Sequence, residues 1–118
     1  MQNHFLPEDK TINDGLQQLA KEFDLKIVCT NDLHYVRRED AAAQDVLLCI
    51  QTVTTVDDPN RMRFPNDEFY LKSPEEMAAL FPDCPETLTN TEEIAKRCNV
   101  KLQFGKFLLP EFHPIPDG

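Results

Sequence analysis

Apolar residues recur at helical spacing near the start of the chain, at Ile12, Leu16, Leu19, Ala20 and Phe23. With Pro7 suited to a first turn, this spacing predicts an amphipathic helix over Glu8 to Phe23. Gly15 lies inside the pattern, weakens it slightly and suggests close packing on a neighbouring element. A turn at Asp24-Leu25 leads into Lys26 to Asn31, where the β-branched run Ile27-Val28 predicts a buried strand. Helix, short loop and buried strand form the repeating unit of α/β folds with parallel sheets. A lone strand leaves both edges unpaired, which points to a larger parent structure.

Further on, Ala42, Ala43, Val46, Leu47, Cys49 and Ile50 give a broad apolar face to a well-buried helix over Glu39 to Gln51. Glu39 and Asp40 suit its N-terminal dipole. Thr52 to Glu68 carries Pro59, Pro65, Asn60 and Asn66 and is the longest irregular stretch, of a length that is functional or spans two units. Phe69 to Leu71 is short enough for one more strand. Ser73-Pro74-Glu75-Glu76 is a capping box, opening a helix over Pro74 to Phe81 that buries Met77, Leu80 and Phe81 and stops at Pro82. A last helix is expected over Pro85 to Cys98, with Leu88, Thr91, Ile94, Ala95 and Cys98 on one stripe and Asn99 as its stop. The tail offers a strand at Lys101 to Phe104, then prolines interleaved with Phe107, Leu108, Leu109, Phe112 and Ile115. Such apolar residues call for a surface to dock on. The expected fold class is α/β and helix-rich: one or two short strands with three to four helices, and a helical core from Ala42 to Cys98.

The size, 118 residues, suits one modest core that buries roughly two-thirds of the unfolded chain's surface. A formal charge of −9, with the basic residues scattered, counts against a free-standing nucleic-acid binder. The four cysteines lack any CxxC pairing and lie in or beside apolar segments, where free Cys packs as a small buried hydrophobe. With no signal peptide ahead of them, they suggest a reduced, cytoplasmic setting. No internal repeat, membrane-length apolar run or Gly-rich phosphate loop is present.

Candidate chemistry centres on KIVCTNDLHY, Lys26 to Tyr35. If extended geometry persists past Asn31, the period of two aims Asp32 and His34 at the same side. A carboxylate and a neutral imidazole are ligands for zinc or manganese at about 2.0–2.2 Å, and the strand exits of an α/β barrel gather such groups. Asp-x-His is a weak motif, and on spacing alone a turn-capping Asp with an ordinary loop His is the stronger reading. His4 and His113 have no other His nearby; His113, between Phe112 and Pro114, reads as a packing residue. No nucleophile elbow is present, and the paired carboxylates fit helix surfaces and loop starts.

The succession TNDLHY, EDAAAQDVLLCIQT, DDPNRMRF and EFYLKSPEEMAALFPDCPETLTNTEEIAKRCNV resembles the alpha subunits of bacterial DNA polymerase III. It resembles the end of their N-terminal PHP (polymerase and histidinol phosphatase) domain and the segment leading towards the palm. The resemblance implies a C-terminal α-β-α part of a PHP domain over 1–56, and a helical connecting segment with an extended tail over 57–118. In that family the PHP domain is a distorted α/β barrel whose strand ends hold up to three metal ions, zinc or manganese at an intact site. Asp32 and His34 match the last ligand pair, and His4 is a marginal further candidate.

The remaining ligands come from motifs upstream, including a His-x-His that this sequence lacks, so the chain alone is expected to bind metal weakly or not at all. Neither catalytic nor cofactor-binding residues are expected here, because the magnesium-dependent nucleotidyl-transfer residues of the family lie in the palm. The implied partners are the rest of the alpha subunit, DNA and other replisome subunits, with self-association through an open strand edge. The family commonly has Gly after the His matched by His4, whereas this chain has Phe5, so a different local turn is expected. Two other readings are a free-standing PHP phosphoesterase, against which Asp57 to Val100 argues, and a non-catalytic interaction module with an apolar tail.

Overall fold

A computed structural model describes residues 1–110. It contains α1 (Asp9–Glu22), a 3-10 turn at Arg38–Asp40, α2 (Ala41–Thr52), α3 (Pro74–Leu80) and α4 (Glu86–Arg97). All four helices fall within a residue or two of the sequence expectation, because each is set by local periodicity and local stops. α1 is entered through the Asp9 carboxylate, which accepts the amides of His4 (2.7 Å) and Leu6 (2.9 Å). It closes with Asp24 in the left-handed region (φ 50°) and the Leu25 amide on the Ala20 carbonyl, a Schellman-type end. The capping box of α3 forms as read: Ser73 Oγ accepts the Glu76 amide at 3.2 Å and Glu76 accepts the Ser73 amide at 2.7 Å.

The strands differ from expectation. Among the described residues β structure is confined to one parallel bridge, Tyr35 with Tyr70, so an α/β barrel end is not seen. Lys26 to Asn31 runs without a sheet, its polar groups taken up singly. Val28 O accepts from the Met1 amine at 2.7 Å, and Met1 O accepts from Thr30 N at 2.9 Å. On the other side Cys29 N donates to Thr87 O and Asn90 Nδ2 to Ile27 O (2.7 Å). Phe69 to Leu71 likewise pairs only around Tyr35, and Lys101 to Phe104 is exposed and forms no strand.

The core is also smaller and differently placed than a helical cluster from Ala42 to Cys98. Tyr35, Phe69 and Tyr70 form it, with Ala41 and Phe64 packed against them. α2 buries only Leu48 and Cys49 and leaves Val46, Leu47 and Ile50 exposed. α4 buries Thr87 and Asn90, two polar residues that bond the Ile27 to Cys29 backbone, while Ile94 is exposed. Phe81 is buried, but Met77 and Leu80 are only half-buried. Cys29 and Cys49 are buried as expected; Cys84 is half-buried and Cys98 exposed. No heavy atom lies within 4 Å of a Cβ built on Gly15, so the close packing expected there is absent.

A common cause underlies these differences: the helices scarcely touch one another and lie against loops instead. The radius of gyration is 21.2 Å, against about 14 Å for a compact chain of this length. Phe104, Phe107, Leu108 and Leu109 are exposed rather than docked. Phe112, His113 and Ile115 lie outside the described residues. No described helix is long and apolar enough to cross a membrane.

Candidate functional site

Asp32 and His34 do meet. His34 Nε2 lies 2.9 Å from Asp32 Oδ1, with 35% and 50% of the two side chains exposed, so both groups are open to an ion from solvent. The chain here is extended without being a strand, and its neighbour supplies the rigidity. The His34 amide donates to Phe69 O at 2.9 Å, and Asn31 Nδ2 donates to Tyr70 O at 2.6 Å. Extended backbone held at both ends puts side chains two apart on one side, as the spacing predicted.

His4 joins this pair from the far end of the sequence. It is 3% exposed, and its ring is stacked on Phe69 at 4.6 Å with an interplanar angle of 7°. Its Nε2 accepts the Asp32 amide at 3.2 Å. A backbone N–H can only donate, so Nε2 is the acceptor nitrogen and the ring proton sits on Nδ1. Phe5 lies at φ 57°, the left-handed region that Gly occupies freely. The side chain here thus sits on a backbone conformation that glycine favours.

The long loop before Tyr70 closes over the site. Phe64 packs on the His34 ring at 4.6 Å and on Phe69 at 4.5 Å. Asn66 donates to the His4 carbonyl at 2.7 Å and accepts the Glu68 amide at 3.0 Å. The length of the loop signalled a functional role, but nothing local singled out Phe64, Asn66 or Phe69. Arg61 anchors the loop to α2 through a two-pronged contact with Asp45, whose carboxyl it holds below the usual aspartate range.

An ionic network sits behind the core. Arg38 donates to Asp67 (2.9 Å), Glu68 (2.6 Å) and the Tyr70 hydroxyl (3.2 Å), and lies 4.7 Å from the Tyr70 ring centroid. These partners, Glu68 first, push its pKa further up. Lys72, with a side chain only 2% exposed, bonds Glu68 O, lies 3.3 Å from Glu68 Oε2 and packs on Tyr70. Tyr70 donates to Glu76 at 2.6 Å, which raises the phenol's pKa and lowers that of the carboxyl. Pairing of this kind is what a buried charge requires.

The donor set fits half of a divalent-metal site. Asp32 and His34 bring one carboxylate oxygen and one imidazole nitrogen together, joined here by a hydrogen bond whose proton an ion would displace, whereas a site needs three or four ligands. Among the described residues, no group of three or more His, Cys, Asp or Glu is placed to hold an ion. His4 is near, but its acceptor nitrogen is engaged by the Asp32 amide.

No protein-family model matches the chain. Individual relatives do. The chain is 51% identical over 124 aligned residues to the DNA polymerase III subunit alpha of Thermus aquaticus, covering 100% of this chain and 10% of that protein. It is 50% identical over 116 residues to that of Treponema pallidum, covering 98% and 10%. For Deinococcus radiodurans the figures are 45% over 124 residues, 100% and 9%. The chain thus spans about one tenth of the length of these relatives. Identity of this level from end to end makes the chain homologous to a segment of the bacterial DNA polymerase III alpha subunit.

Proposed function

We propose that the chain works as part of a replicative DNA polymerase III alpha subunit, an enzyme of template-directed DNA synthesis. In this reading residues 1–56 are the end of a PHP domain and 57–118 connect it towards the palm. Asp32 and His34 supply the last ligand pair of a zinc or manganese site linked to 3′–5′ exonuclease proofreading or to structural support. The identity to polymerase III alpha subunits along the whole chain supports the larger reading, and the 2.9 Å approach of His34 Nε2 to Asp32 Oδ1 is the observation that supports the metal role.

A divalent ion held by a complete site would neutralise a phosphodiester's charge and lower the pKa of a bound water. The chain's own part is to present the two donors side by side and to back them with the Phe64–Phe69 aromatic wall, which keeps water from the rear of the pair. Polymerisation itself requires magnesium-binding acidic groups of the palm. The partners are the rest of the subunit, DNA and other replisome subunits, in the cytoplasm.

The test is made in the full-length subunit that carries this segment. Asp32→Ala and His34→Ala are expected to reduce manganese- or zinc-dependent exonuclease to background while polymerisation persists. Wild-type exonuclease in both variants would overturn the metal role, and a full-length subunit unable to polymerise would overturn the larger reading.

A further inference from the structure

We propose that His4 is a positioning residue for the Asp32–His34 pair: it fixes the backbone of Asp32 rather than serving as a ligand. This rests on the reading of Asp32 and His34 as a metal-holding pair. The two donors sit on a short extended segment with no sheet around it, so each needs its amide held if the side chains are to stay together. His34 is held by Phe69, whose carbonyl accepts the His34 amide at 2.9 Å. Asp32 is held by His4, whose Nε2 accepts the Asp32 amide at 3.2 Å.

Both restraints meet on one platform. The Phe69 ring carries the His4 ring in a stack at 4.6 Å and meets His34 edge-on at 6.0 Å. His4 is fixed on its other sides as well. Its amide donates to Asp9 Oδ2 at 2.7 Å, and its carbonyl accepts from Asn66 Nδ2 at 2.7 Å. The left-handed Phe5 that follows points outward, 64% exposed, while His4 goes in. An imidazole satisfies what this place requires: a flat ring to stack on Phe69 and an acceptor on its far edge for Asp32. Groups that orient ligands in this way typically alter metal affinity by about tenfold to 100-fold when removed.

Two substitutions separate the stack from the acceptor. His4→Phe keeps a ring on Phe69 and removes the acceptor; His4→Gln loses the ring and keeps an acceptor oxygen. In the full-length subunit, His4→Phe is expected to weaken manganese and zinc binding by roughly tenfold to 100-fold, and His4→Gln to recover most of the affinity. A merely structural role predicts the reverse order, with His4→Phe near wild type. Asp32→Ala serves as the reference. If it does not weaken metal binding, the functional reading fails; if it does and His4→Phe does not, only the present inference fails. A measurement on the unsubstituted chain guards against variants that do not fold. Nitrogen-15 NMR is expected to show His4 as the Nδ1–H tautomer, with a coupling across the hydrogen bond to the Asp32 amide nitrogen. A protonated Nε2 on His4 would overturn the inference.

Discussion

Asn66 and His4, 62 positions apart, are joined by a 2.7 Å hydrogen bond from the Asn66 side-chain amide to the His4 carbonyl. The same side chain accepts the Glu68 amide at 3.0 Å, so one residue ties the closing loop to the N-terminal turn. Asn66→Ala removes two partly buried hydrogen bonds and leaves a carbonyl and an amide unpaired, a loss of about 2 kcal/mol. Asn66→Asp keeps the acceptor and loses the donor, so an intermediate loss is expected. Urea unfolding followed by circular dichroism gives both values. An unchanged midpoint for Asn66→Ala would show that the loop is not held this way.

Phe5 at φ 57° is strained for a residue with a Cβ, by about 1–2 kcal/mol. Its side chain is 64% exposed, so little packing offsets the strain. Phe5→Gly relieves the strain but adds disorder to the unfolded chain, at about 0.5–1 kcal/mol. Stability is therefore expected to hold or to rise by up to about 1.5 kcal/mol. Phe5→Val, β-branched and less tolerant of this region, is expected to be less stable than the parent. The order Gly, Phe, Val in urea midpoint checks the argument, and Val above Gly would refute it.

What was readable in the sequence was whatever is decided locally. Ser73 and Glu76 announce their cap, and the spacing of Ile12, Leu16 and Leu19 announces α1, because those contacts lie within a turn or two. The meeting of Asp32 with His34 follows from a period of two and needs no sheet. The strand expected at Ile27-Val28 failed because an apolar run encodes burial, not a pairing partner, and here the partners are Met1, Thr87 and Asn90. The apolar stripe of α4 does not mark Thr87 and Asn90, because the helix buries instead the groups that bond the Ile27 to Cys29 backbone. The place of His4 rests on Phe69 and Asp32, far along the chain. The left-handed residues Phe5, Asp24 and Val53 carry no glycine to mark them.

Asp45 and Arg61 give the chain an acid-sensitive clasp. The guanidinium holds the Asp45 carboxyl below its usual range, chiefly by hydrogen bonding and against a smaller opposing effect of burial. A carboxyl with a lowered folded pKa stabilises the fold when ionised. Its contribution is complete above the unfolded value, about pH 4, and disappears as the pH falls through the lower folded value. Stability is expected to decline with acid in that window, and Asp45→Asn is expected to flatten the decline. The Glu76 and Glu93 carboxyls, lowered by Tyr70 and Lys26 respectively, leave a residual slope. Urea midpoints from pH 6 to pH 3 measure it; identical slopes for parent and Asp45→Asn would remove the clasp from the account.

The accessible surface is 9916 Å², against about 6,600 Å² for a folded monomer of this mass. The sequence leads to an expectation of self-association through a strand edge, but no strand forms among the described residues and the exposed apolar face lies elsewhere. Ile12, Leu16 and Leu19 of α1 and Phe23 just past its end are exposed, beside half-buried Ile27 and Val28. The difference, about 3,300 Å² of total surface, part of it apolar, falls within the range that tight dimers bury in all, about 2,000–5,000 Å². At a net charge of −9 the chain repels its own copies, so added salt should favour association. Sedimentation is expected to show mass rising with concentration, more so at high salt. Leu16→Lys with Leu19→Lys is expected to shift the chain towards monomer while circular dichroism keeps its helical signal. A strict monomer at high concentration and high salt would show that the α1 face does not bind a second copy.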